Sequence, residues 1–158
     1  MSRYADVEVT GPARQQALER IFRQMREWGL TMPAGEPLVL DFGLGRFEQI
    51  GETEFWIANE VQIGYCGKFL FLFDGQTCPH HRHQMKHETF FIVKGAVRMR
   101  VEEEERLLRE GEVLAMPPGT GHSLTAAAGP ALVLEVSQPS VRGDNFFDDP
   151  QIGEGRVL

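Results

Sequence analysis

From Leu38 to Val136 the chain is a succession of short β-rich segments cut by glycine, proline and charged turns. The segments with strand character are Leu38–Phe42, Phe55–Ile63, Lys68–Asp74, Thr89–Val93, Ala96–Val101, Arg106–Arg109, Val113–Met116, His122–Ala126 and Ala131–Val136. Strands at this density, joined by tight turns, indicate a sandwich or a barrel. The Glu102–Glu105 run is expected at a solvated hairpin tip, because four adjacent carboxylates repel one another in any drier setting. One helix precedes this region. Leu18, Ile21, Phe22 and Met25 follow helical spacing, with Trp28 extending the stripe, Pro12 in the first turn and Gly29 at the stop. The expected organisation is one domain over 1–158: a helix at about 12–28 docked on the main body, a barrel over about 38–137 and a tail over 138–158 with little periodicity.

A chain of 158 residues with 42% apolar and 25% charged residues is of ordinary globular composition, which excludes a disordered or fibrous chain. The net charge of -7, with no basic stripe to offset it, argues against nucleic acid and anionic membranes as partners. The N-terminus has no signal-like apolar stretch, and the strongly apolar run Phe69 to Phe73 is far too short to cross a bilayer. Cys66 and Cys78 are the two cysteines and are not closely spaced, so the expectation is a reduced, soluble, cytoplasmic protein.

The histidines carry the functional signal. His80, His81, His83 and His87 are clustered, and His122 stands apart after the turn-rich Pro117-Pro118-Gly119-Thr120-Gly121. Residues two apart on a strand share a face, so His81 and His83 can approach one ion together, while His80 points away and, like His87, is expected not to be a ligand but to lie at the surface or to support the site from behind the ligands. Glu88 is close enough for a turn to return its carboxylate, and His122 can arrive from another strand. Three imidazoles and a carboxylate suit Mn, Fe, Co, Ni or Zn in the divalent state. The spacing Gly75-x5-His81-x-His83-x4-Glu88-x6-Gly95, followed by Gly111-x5-Pro117-x-Gly119-x2-His122, resembles the two motifs of the cupin superfamily in their correct order, with Ala126 where the second usually ends in Asn. That resemblance implies an all-β, double-stranded β-helix (jelly-roll) barrel holding one divalent metal ion per chain.

Two further residues stand out. Lys86 lies two before Glu88, so in extended chain it would share the ligand face; the alternative is a lysine turned out to solvent. Glu135 sits in the apolar strand segment Ala131–Val136, where a carboxylate is costly unless it is paired or working. Its alternative is a buried ion pair with Arg98 or Arg100. An ammonium and a carboxylate beside a divalent cation suit proton transfer between adjacent carbons of an α-hydroxy carbonyl, where the metal acidifies the C–H bond and stabilises an enediolate.

The sequence also resembles the D-lyxose isomerase family of cupins, through Asp41–Glu48, Tyr65–Lys68, Gly75–His83 with Lys86, Glu88, Thr89 and Phe90, then Glu135–Ser137 and Asp144–Pro150. The resemblance implies an aldose–ketose isomerase acting on a small-molecule sugar of the D-lyxose/D-xylulose type. It implies Mn²⁺ on His81, His83, Glu88 and His122, and catalytic roles for Lys86 and Glu135. Two competing readings use the same ligands: an Fe-dependent dioxygenase, and a non-catalytic sugar-binding cupin. A homodimer is expected, because exposed strand edges in a β barrel need cover.

Overall fold

The computed structural model describes residues 4–153 and 158. One helix, α1 (Gly11–Trp28), precedes a sheet of strands β1 (Leu38–Leu40), β2 (Glu52–Glu60), β3 (Tyr65–Leu72), β4 (Thr77–Arg82), β5 (Glu88–Val101), β6 (Glu104–Arg109), β7 (Val113–Met116), β8 (His122–Ser137) and β9 (Phe146–Phe147). Pairing runs β1-β2-β3-β8-β4-β9, and β5 joins β8, β7 and β6. Every strand pair is antiparallel.

The sheet closes because β5 and β8 are long enough to serve both halves. The C-terminal half of β8 pairs with β3 and its N-terminal half with β4, while β5 runs beside both halves. The sequence splits each of these strands in two, at Gly95 and around Ala128-Gly129; the structure keeps them continuous and bends them there. The register of β5 shifts on either side of Lys94, and Gly95 takes φ +79°, where a side chain would collide with the Pro130 carbonyl oxygen. Only glycine lets the two strands approach this closely while one of them kinks. Strand β4 and the pair Phe146–Phe147 are further departures. The segment after Ser137 returns to the barrel, where β9 pairs with His81 and Arg82 of β4. The acidic hairpin tip narrows to Glu102–Glu103, since Glu104 and Glu105 already belong to β6.

The barrel interior is filled by Leu40, Leu70, Leu72, Phe90, Ile92, Val97, Met99, Leu124 and Val133. A second cluster lies between α1 and the outer sheet face: Ile21 and Met25 meet Phe55, Phe71 and Leu132. Helix α1 ends on Gly29 in the left-handed region, with Gly29 N–H donating to the Arg26 carbonyl and Leu30 N–H to that of Met25. The helix docks as expected, although its buried stripe is Ala17, Ile21 and Met25, with Leu18 at the margin and Phe22 39% exposed. The stripe is rotated because the strands offer their apolar groove to the i, i+4 row through Ile21. Ile21→Ala should therefore cost about 2–5 kcal/mol, read from the denaturant midpoint, and Phe22→Ala clearly less. Equal effects would mean that the helix sits differently on the sheet. No helix among the described residues is long and apolar enough to cross a membrane.

Candidate metal centre

Three strands deliver the site. His81 is on β4 and His83 one residue beyond it, so alternation keeps both rings inward. His122 opens β8 opposite His81, and Glu88 opens β5. The four expected ligands are all buried. Ring centroids are 4.9 Å apart for His81 and His83 and 4.5 Å for His81 and His122. One ring nitrogen from each of the three histidines lies within 4.8 Å of the others.

The tautomers are set by backbone. Each Nδ1 sits against a carbonyl oxygen: Pro79 for His81 at 2.8 Å, Asp144 for His83 at 2.9 Å and Thr120 for His122 at 3.0 Å. An Nδ1–H donated to each carbonyl leaves the Nε2 lone pair facing inward. The Nε2 atoms of His83 and His122 are 3.2 and 3.1 Å from the two Glu88 oxygens, yet both nitrogens and Glu88 Oε2 have no hydrogen-bond partner among the described residues. Lone pairs aimed at a carboxylate repel unless a cation lies between them. The donor set therefore fits a divalent metal ion, which His81, His83, Glu88 and His122 could hold.

Electrostatics agree with that reading. Burial, and then the proximity of His122 and His83, hold the His81 imidazolium well below its ordinary pKa, so His81 stays neutral as a ligand must. Burial alone would raise the Glu88 carboxyl, but the adjacent Lys86 ammonium outweighs it and brings it well below the carboxylate range.

Lys86 and Glu135, which the sequence flags by position alone, meet beside this centre. Lys86 Nζ is 2.7 Å from Glu88 Oε1 and donates to Glu135 Oε1 at 3.0 Å, and Ser137 Oγ donates to the same oxygen at 2.9 Å. Lys86 is buried, which removes the solvent alternative, and Glu135 does not pair with arginine. Arg98 and Arg100 face outward to Glu105 and Glu103. Burial opposes the Lys86 charge, but Glu135 and Glu88 overcome this and keep it an ammonium. His80 is half-buried and pairs with Asp148 at 2.9 Å, whereas His87 is exposed.

Sequence reasoning missed the second half of the polar line. Lys68 Nζ donates to Glu54 Oε1 at 2.6 Å, approaches Glu135 Oε2 at 3.7 Å and lies over the Trp56 ring at 4.7 Å. Glu52, Glu54 and Lys68 are all buried. The available signal was alternation: single charges at every second position in otherwise apolar strands, with Lys68 directly opposite Glu135 in register. Asp144 was missed as well. Its carboxylate accepts the backbone N–H groups of Gln84, Met85 and Lys86 at 2.8, 3.1 and 3.1 Å, while its carbonyl fixes His83. Asp144 thus ties the first three residues of the loop between His83 and Glu88, and Gln138 holds the fourth, accepting from His87 N–H at 3.0 Å. Asp144→Ala should weaken metal affinity by about 10–100-fold in a chelator competition; unchanged affinity would show that the loop holds its shape without Asp144.

A chamber of about 610 Å³, counting its open mouth, runs from these groups to a wall that includes Glu52, Trp56, Lys68 and Cys78.

A cupin domain is matched by residues 71–137. The D-lyxose/D-mannose isomerase of Thermosediminibacter oceani is 35% identical, over 85% of this chain and 90% of that protein. A D-lyxose ketol-isomerase of a Thermofilum species is 34% identical, over 72% of this chain and 77% of that one. Among solved structures, the Cellulomonas parahominis L-ribose isomerase with L-ribose superposes with a TM-score of 0.76 at 16% identity, over 97% of this chain and 98% of that chain. The likeness to that structure is one of fold.

Proposed function

The chain belongs to the D-lyxose isomerase family of cupins, and from that premise we propose that this aldose–ketose isomerase interconverts a D-lyxose-like aldose and its D-xylulose-like ketose. His81, His83, Glu88 and His122 are the proposed ligands of one divalent ion, Mn²⁺ by the family resemblance, and one of the ions that three imidazoles and a carboxylate suit. When bound, such an ion polarises the carbonyl and hydroxyl oxygens of the sugar and acidifies the hydrogen between them.

The chain's own groups do the rest. Glu135, with Oε1 held by Lys86 and Ser137, is the proposed base that takes the hydrogen from C2 and returns it to C1. Lys86, kept charged by Glu135 and Glu88, gives a proton to O1 as C1 is reduced and takes one back from the O2 hydroxyl as C2 becomes the carbonyl. The observation that carries this reading is the buried ammonium–carboxylate pair set directly against the inward-facing imidazoles. An oxygenase or a passive sugar binder has no need of that pair, which is costly to bury.

The test is to incubate the Mn²⁺-loaded protein with a panel of aldoses and ketoses while recording oxygen uptake. Interconversion without oxygen consumption is expected. Oxygen consumption, or binding with no turnover of any sugar, would overturn the reading. The protein is further proposed to act as a single domain over 1–158 in the cytoplasm, as a homodimer. Support for the dimer comes from the outer sheet face, where Ile57 of β2, Val136 of β8, Phe91 of β5 and Val113 of β7 are exposed, with β3 between β2 and β8, rather than from a strand edge.

A further inference from the structure

The polar line through the chamber does not end at the groups that move the proton. It runs from Glu88 through Lys86, Glu135 and Lys68 to Glu54, and then to Glu52. Glu52 is 5% exposed, lines the chamber and touches the Glu54 carboxylate and the Cys78 thiol. Its Oε2 is buried with no hydrogen-bond partner among the described residues. A buried carboxyl oxygen with no partner on a chamber wall is costly unless something that enters the chamber supplies the bond. Burial and the neighbouring Glu54 push Glu52 up to about 8, so at neutral pH its carboxyl holds a proton that Glu54 can accept, which leaves Oε2 as an acceptor for an incoming hydroxyl.

Position adds the second argument. Along the line of contacts Lys86 and Glu135 come first, then Lys68, Glu54 and Glu52, with Cys78 against Glu52. Glu52 and Cys78 are therefore farther from Glu88 along this line than the proposed acid–base pair. A linear sugar with C1 and C2 at the ligands would extend along this line and present its last hydroxyl to Glu52.

We propose that the Glu52 carboxyl, walled by Cys78, is the subsite for the terminal hydroxyl of the open-chain sugar and sets the sugar length that the chamber favours. This rests on the sugar-isomerase reading, but it is tested by binding rather than turnover. The Mn²⁺-loaded wild type is titrated calorimetrically with a pentitol, the same pentitol lacking its terminal hydroxyl, and a hexitol. The wild type should prefer the intact pentitol over the deoxy compound by about tenfold, the equivalent of one good hydrogen bond. In Glu52→Leu that preference should fall to near unity. Glu52→Asp keeps the chemistry and withdraws the carboxyl by one methylene, so it is the variant expected to fold in any case. It should move the ratio of hexitol to pentitol affinity toward the hexitol. A wild type indifferent to the terminal hydroxyl, or ratios that stay put in Glu52→Asp, would overturn the subsite. Discrimination in a wild type that isomerises no aldose would support the subsite while refuting the proposed reaction.

Discussion

Glu135→Gln should lower sugar turnover by ~10²–10⁴-fold, the usual loss when a positioned base is removed, while the protein stays folded and binds metal stoichiometrically. The surrounding charges explain why the effect can be separated. Losing the Glu135 charge leaves two buried ammonium groups, but each keeps another carboxylate: Lys86 has Glu88 at 2.7 Å and Lys68 has Glu54 at 2.6 Å. The amide keeps the shape of the side chain and can still accept from Lys86 and Ser137 through its oxygen. Lys86→Met should produce a loss of the same order for a different reason, since it removes the donor to the sugar oxygen and leaves the two carboxylates facing each other. Deuterium placed at C2 of the aldose should wash into solvent during turnover if Glu135 carries the proton, and the washout should vanish with Glu135→Gln. Near-normal activity in both variants would sink the assignment, whereas retention of the label in the wild type would replace proton transfer by a hydride shift.

The second large effect concerns the metal. His122→Ala removes one of three inward imidazoles from a fully buried position and leaves Glu88 Oε2 without the group facing it at 3.1 Å. Elemental analysis should find the variant well below one ion per chain, a greater loss than that from Asp144→Ala. Full occupancy would mean that the ligand set is wrong. Acid should act in the same direction. The His81 imidazole is held below its ordinary 6.5 in the folded chain, so as pH falls past 6.5 the unfolded chain takes up the proton first and stability declines. Glu88 lies below its ordinary 4.5. The stability it contributes is present above 4.5 and is lost as pH falls from there through its lower folded value. Thermal melts of the metal-free protein should thus drop steadily below about pH 6.5, and the metal-loaded protein should converge on them as protons displace the ion. A metal-free melt indifferent to pH between 7 and 5 would show that His81 is not buried among its neighbours in solution.

How much of this could be read from the chain follows from where each signal lies. The convergence of His81, His83, Glu88 and His122 was legible because their spacing is local and tied to turn glycines; the starts of β5 and β8 and the end of β4 bring them together. Lys86 and Glu135 were legible as anomalies, one beside the ligands and the other inside an apolar strand. Their mutual contact was not, because it depends on β5 and β8 pairing in a register that no local pattern encodes. Lys68 and Glu54 were harder still. A lone lysine in Gly67-Lys68-Phe69-Leu70 looks like an edge charge until β3 is laid between β2 and β8. Continuity of β5 through Gly95 was missed for the opposite reason: glycine ordinarily breaks a strand, and here it allows two strands to touch. The inward return of the segment after Ser137 has almost no periodicity to announce it, since β9 is two residues long and its effect is exerted through one aspartate.

That aspartate also bears on timing. The carbonyl that orients His83 belongs to a residue 61 positions later, and its carboxylate shapes the loop that presents Glu88. On a ribosome adding roughly 5–20 residues per second, the last of the four proposed ligands, His122, therefore precedes the group that aligns His83 by about 1–4 seconds. During that interval the nascent chain carries all the donor atoms of the proposed site without their final arrangement. Metal capture at full strength is expected only once the closing segment, which also brings Phe147 and Ile152 into the barrel core, has folded back.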